Sequence, residues 1–276
     1  MLFDTWREDA KAAILEFLGT IMFLLLALGG TQNANFQGGP ANDRLMYIAA
    51  SFGLSLVVSA WLFFRATGGL FNPNVTLALL LVGAISPLRF VLYCIAQLVG
   101  SIVASGILLG LVPGPLLVTT QPGPGINKAQ ATFIEMFLTT SLVLAVLMLA
   151  AEKHKSTAWA PIGVGLTLFA AELWGLSFTG GSLNTARSFG PAVVAGFDES
   201  HWVYWLGPFL GSLLGTAIYT LLKTFDYWNL NPGQDSSDPS LSPDNPVNAL
   251  TETTRSRSAE AGNSVQNREK TINRAV

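Results

Sequence analysis

The sequence predicts an all-α membrane protein: six transmembrane helices plus two re-entrant half-helices, arranged as an inverted repeat. Three observations carry that expectation. Half of the residues are hydrophobic and only 12% are charged, a composition typical of embedded rather than soluble chains. Six apolar stretches approach or reach the ~20 residues a helix needs to cross the hydrocarbon. Two short boxes, Asn72-Pro73-Asn74 and Asn184-Thr185-Ala186, follow glycine pairs, Gly68-Gly69 and Gly180-Gly181, at matching places in the two halves.

In chain order the spans fall near residues 12–29, 45–64, 90–111, 131–151, 159–178 and 202–222. Segments 72–82 and 184–195 are apolar but too short to cross, and each begins at an asparagine box. Short, glycine-interrupted segments in corresponding positions of two halves predict half-helices lining a cavity. The halves match elsewhere too, since Leu15-Glu16-Phe17-Leu18-Gly19-Thr20 echoes Ile134-Glu135-Met136-Phe137-Leu138-Thr139. Three spans per half is an odd number, so the second copy enters from the opposite side and the repeats are inverted. The expected organisation is an N-terminal segment 1–11, a channel domain 12–222 with repeats about 12–111 and 131–222, and a tail 223–276.

Charge sets the orientation. With both termini inside, Arg7, Lys11, Arg65, Arg89, Lys153, Lys155 and Lys223 fall on the inner side, whereas the outer loops hold only Arg44 and Lys128. Both termini are therefore expected in the cytoplasm. No A-x-A-like cleavage site follows the first apolar run, which predicts a retained span rather than a signal peptide. A net charge of −2 gives no reason to expect nucleic acid, and Cys94, the single cysteine, excludes an intrachain disulfide. Residues 231–276 are rich in Ser, Pro, Asn, Asp and Arg, a composition that predicts disorder. Arg255-Ser256-Arg257-Ser258 within it is either a phosphorylation site or part of a plain solvated tail.

The chemistry resides in the boxes. A half-helix N-terminus leaves backbone N–H groups unpaired and carries partial positive charge. Proline suits its first turn, and the asparagine before it caps the backbone while aiming a side-chain N–H into a pore. Two such ends meeting at mid-membrane offer two amide donors and a positive maximum that opposes cations and protons. A lone box would be an ordinary helix cap; two in register point to a pore. The sequon Asn74-Val75-Thr76 lies in a re-entrant segment, where glycosylation is not expected.

These boxes, Glu16 and Glu135, the run Ala186-Arg187-Ser188-Phe189-Gly190-Pro191-Ala192 and the closing His201-Trp202-Val203-Tyr204-Trp205-Leu206-Gly207-Pro208 resemble the aquaporin, or major intrinsic protein, family over about residues 12–222. The resemblance implies six tilted helices, two half-helices, a homotetramer in the lipid bilayer with one pore per subunit, and passive flow of water or small neutral solutes. It implies that Glu16 and Glu135 accept hydrogen bonds from re-entrant backbone, so that Gly68 to Phe71 and Gly180 to Leu183 present carbonyls in single file. It also transfers an outer filter of four positions onto Phe52, Glu172, Gly181 and Arg187. Phe52 and Arg187 match the water-channel pattern. Glu172 stands where water-selective relatives usually carry histidine, and three readings are open. It is ionised and paired with Arg187, protonated and neutral at the pore, or turned away into packing. Gly181 either widens the mouth, which suits hydrogen peroxide, or serves the loop's backbone conformation. Phe52, Ser188 and the pair Tyr204-Trp205 argue against a glycerol channel. Thr185 replaces the usual second proline and Asn74 the usual alanine, as drift or as a shift of selectivity. Asn184 should still cap its half-helix.

No ATP-binding loop, metal cluster or catalytic triad is recognisable, so neither an enzyme nor a cofactor is expected. The expectation is a passive channel for water, with hydrogen peroxide as a further solute, in the plasma membrane. The alternatives are a glycerol-conducting or ion-leaky channel through a filter altered by Glu172, a closed-pore junction protein, and a coupled transporter.

Overall fold

The computed structural model describes residues 5–234 together with 236–238, 240 and 242. Among them the chain forms α1 (Trp6–Gln37), α2 (Ala41–Phe63), α3 (Pro73–Leu81), α4 (Pro87–Leu111), α5 (Lys128–Val146), α6 (Ala160–Thr179), α7 (Thr185–Ala195) and α8 (Val203–Thr224), and no strand. A π-helical turn, Leu147–Ala151, completes the fourth span. All but α3 and α7 are long and apolar enough to cross a membrane. The compact unit Met1–Tyr227 holds every one of these helices. Of the unit Trp228–Val276, the described pieces form only short turns, and the four-residue stretch 255–258 and the basic tail residues lie outside the described residues.

Local chemistry explains where the elements start. Ser86 accepts from Arg89 N at 3.1 Å and Pro87 occupies the first turn of α4. Asn127 and Gln130 close a reciprocal capping box on α5. The first span runs longer than its apolar stretch because its polar ends are satisfied. Asp9 is buried against Arg89 at 2.6 Å, and the Gln32 amide bonds both Pro115 O (3.0 Å) and Leu117 N (2.7 Å) of the following loop.

The helices pair symmetrically, α1 against α4 within the first half, α5 against α8 within the second, and α2 against α6 between the halves. Small residues make the crossings, because apolar burial adds little driving force inside lipid and close backbone packing must replace it. A side chain on Gly100 would meet Phe17 O at 3.0 Å and Thr20 Cβ at 3.1 Å. One on the repeat-related Gly211 would meet Met136 O and Thr139 Cβ, both at 2.6 Å. On the central crossing, Gly53 and Gly165 pack backbone to backbone. Ile95 and Val99 on α4 and Phe209 and Leu213 on α8 stay exposed, as suits a lipid-facing surface.

The half-helices have 9 and 11 residues, about 14 and 17 Å at 1.5 Å per residue. End to end they cover the ~30 Å of a hydrocarbon core. Each is preceded by a loop that carries its asparagine to the centre of the bundle.

Candidate functional site

Each loop is shaped by residues in left-handed conformation. Gly68, Gly69, Gly180 and Gly181 have φ of 97, 64, 79 and 60°, and so do two non-glycines, Phe71 (50°) and Leu183 (52°). Such a conformation costs a non-glycine residue about 1–3 kcal/mol and persists only where surroundings enforce it. Two buried acids enforce it here. Glu16 accepts from Thr67 Oγ1 (2.5 Å), Leu70 N (3.1 Å), Phe71 N (2.9 Å) and Gln97 Nε2 (2.9 Å). Glu135 accepts from Thr179 Oγ1 (2.6 Å), Ser182 N (2.9 Å) and Leu183 N (2.8 Å). Tyr93 and Tyr204 brace the same loops by donating to Thr67 O (3.4 Å) and Thr179 O (2.7 Å).

The loops deliver Asn72 and Asn184 in nearly identical backbone states, φ/ψ −152/114° and −155/109°. Asn72 Oδ1 accepts from Asn74 N at 2.8 Å, and Asn184 Oδ1 accepts from Ala186 N (2.9 Å) and Arg187 N (3.3 Å). Backbone N–H groups can only donate, so these bonds fix which way each amide points. Asn72 Nδ2 then donates to Leu183 O, and Asn184 Nδ2 to Phe71 O, both at 2.8 Å. These bonds engage the last carbonyl of each loop. The second N–H of each amide is left for the cavity that both residues line.

That cavity runs from Phe64, Ala150 and Pro161 past Gly68, Gly69 and Leu70 to Asn72 and Asn184, and ends at Phe52 and Arg187. Apart from Ser182 its remaining walls are apolar, with Phe23, Leu56, Val75 and Leu168 among them. Arg187 donates to Val118 O (2.8 Å) and Gly180 O (3.3 Å), and its guanidinium lies 4.7 Å from the Phe52 ring centre. Val118 brings in the loop between α4 and α5, which carries no motif. Ser101 and Ser212, which bond Ala186 O and Asn74 O, carry no motif either. Gln97, which bonds Glu16 and Thr76, is the one with a usable signal, an isolated amide within an apolar span.

Glu172 is fully buried. Of the three readings open for it, the ion pair with Arg187 is not formed: among the described residues no Glu172 bridge within 4.0 Å exists, and both carboxyl oxygens lack a hydrogen-bond partner. The carboxyl instead occupies the space a Cβ on Gly181 would take. The gap left by the absent side chain is therefore filled from α6. Asn74 and Thr185 bond to each other and line a different groove, between α3, α4 and α8.

Two inverted half-repeats whose half-helices meet at paired asparagines beside an apolar cavity define a membrane channel. The family model for the major intrinsic proteins matches residues 4–219, and the chain belongs to that family. It is 56% identical over 260 residues to an aquaporin of Laccaria bicolor, across 91% of this chain and 84% of that protein. It is 49% identical over 242 residues to Aquaporin-1 of Gibberella zeae, across 85% and 76%. The X-ray structure of the aquaglyceroporin from Plasmodium falciparum superposes with a TM-score of 0.70 at 22% identity, over 79% of this chain and 99% of that one. That likeness concerns the fold. The protein is thus a multi-pass membrane protein and a passive channel for water or small solutes, not an enzyme.

Proposed function

We propose that the channel conducts water, with hydrogen peroxide as a second solute. The observation that carries this is the asparagine pair: each amide gives one N–H to the opposite loop and keeps the other for a shared, largely apolar cavity. A water molecule there would accept from both amides at the positive ends of two half-helices. Its own hydrogens would then point outward in both directions, which interrupts proton hopping along the file. The carbonyls of Gly68, Gly69 and Gly181 would supply acceptors on either side, beside that of Gly180, which already accepts from Arg187.

Phe52, Gly181 and Arg187 would form the outer filter, with Glu172 setting its width from behind Gly181. Arg187 would bond solute oxygen and repel cations with a charge that is fixed at any physiological pH. The channel domain, residues 12–222, would work as a homotetramer in the plasma membrane, with the termini and the tail 223–276 in the cytoplasm.

Stopped-flow swelling of proteoliposomes tests the reading. Water permeability should stand well above that of protein-free vesicles, with glycerol near background; no water flux above background would overturn it. Glu172→Ala empties the space behind Gly181 and should raise glycerol permeability. Glu172→Gln keeps the volume and should leave selectivity as it was. A second reading, broader conduction of glycerol-like solutes or ions, is favoured by the two unpartnered Glu172 oxygens. Glycerol flux in the parent at a rate comparable to that of Glu172→Ala would select it.

A further inference from the structure

The two boxes differ at the positions after their asparagines. Pro73 follows Asn72, and Thr185 follows Asn184. Backbone geometry does not demand this difference. Asn184 holds the same extended φ/ψ as Asn72, the state a following proline prefers, and Thr185 opens its helix where proline is well tolerated. What threonine supplies is a backbone N–H and a hydroxyl, and both are directed at one atom. Thr185 N and Thr185 Oγ1 each lie 3.0 Å from Asn74 Oδ1. The hydroxyl also lies 3.0 Å from Tyr204 O, while Ser212 Oγ donates to Asn74 O at 2.8 Å.

The repeat-related position makes only half of this arrangement. Ser101 Oγ donates to Ala186 O at 2.5 Å, as Ser212 does to Asn74. Ala186 has no amide to offer, however, and Pro73 has no N–H to give. The two residues that break the repeat are therefore each other's partners. Both are buried, and neither lines the cavity that holds Asn72 and Asn184.

We propose that Asn74 and Thr185 are a positioning pair that locks the starts of the two half-helices together from behind the lumen and so fixes the spacing of the two asparagines. Among the described residues, the solute-facing amides are otherwise joined through their own crossed bonds to Phe71 O and Leu183 O. The pair adds a tie that no permeating molecule touches. This rests on the proposed role of Asn72 and Asn184 in orienting solute.

The test is a double-mutant cycle on the full-length protein in proteoliposomes, read as water permeability per channel and its activation energy. Thr185→Pro removes both donors without opposing the backbone, and Asn74→Ala removes the acceptor. Each alone should lower per-channel permeability about threefold or more, and the double variant should lose clearly less than the product of the two, as coupled neighbours do. Singles matching the parent, or a double equal to the product, would overturn the pair. A purely structural role would reduce the yield of folded protein while leaving permeability per channel and activation energy unchanged, and that result also overturns it. Should Thr185→Pro fail to reach the membrane, Thr185→Ser and Thr185→Val decide. Serine keeps both donors and should match the parent, valine keeps only the N–H and should fall below it, and equal permeability in both overturns the proposal. A parent without water flux would instead remove the proposed function on which the pair rests.

Discussion

Leu183 shows how one residue's conformation depends on another's charge. Its left-handed backbone carries strain of about 1–3 kcal/mol, and the Glu135 carboxylate holds it by accepting from Ser182 N and Leu183 N on separate oxygens. Glu135→Gln keeps the shape but replaces one of those oxygens with an NH2 group. One buried backbone N–H then faces another donor, at a cost of about 1–3 kcal/mol. Strain and lost bond are of similar size, so the loop should relax out of its left-handed state. The expected result is a lower melting temperature in detergent together with reduced water permeability per channel. Unchanged melting would show that the carboxylate does not hold the loop. The sequence placed Glu16 and Glu135 in matching spans and, through the family likeness, gave them this bonding role. It could not show that Phe71 and Leu183 would be the residues held, because nothing in a phenylalanine or a leucine announces positive φ.

Among the elements, the crossing of α2 and α6 leaves no room at all. A methyl on Gly165 would sit 2.7 Å from Gly53 O and overlap Val57, and backbone on that side cannot yield. Gly165→Ala should therefore cost about 1–3 kcal/mol through overpacking, visible as a lower melting temperature. Gly106→Ala, in α4 with nothing within 4 Å of the added methyl, should melt at or above the parent, since alanine is the better helix former. The spans and half-helices were readable in advance because hydropathy and box position are local signals. Span ends were less so. The first helix outruns its apolar stretch at both ends because Arg89 and the 115–117 loop satisfy its polar residues, and those partners are distant in sequence. The Asn74–Thr185 bond was hidden for the same reason: its halves lie 111 residues apart. The family likeness assigned Glu172 a filter position but left three readings of it open, and packing is what puts its carboxyl in the gap beside Gly181.

For the whole molecule, Glu152 ties the last span to the end of the fourth. It accepts from Tyr219, from Lys223 at 3.0 and 3.2 Å, and from Tyr227 at 3.2 Å. Burial pushes its carboxyl up, but the bonds from Tyr219 and Lys223 outweigh that and hold it below the ordinary glutamate value of 4.5. A depressed folded value means that the stabilisation is present in full above about pH 4.5 and is lost as pH falls through the folded value. Melting followed from pH 7 down to about 3.5 should fall more steeply for the parent than for Glu152→Gln, which should start lower at pH 7. Parallel curves would remove Glu152 from the account. The crossed amide bonds, Asn72 to Leu183 and Asn184 to Phe71, span 111 and 113 residues, and this bears on how the protein is made. When the first three spans have left the ribosome, Asn72 has no acceptor and Phe71 no donor. The first half-helix, its loop already held by Glu16 and Tyr93, lacks the crossed amide bonds until the second half is synthesised and turns in from the other side. Neither half can complete its asparagine's bonding alone, so the midpoint of the conduit closes only when both halves are present.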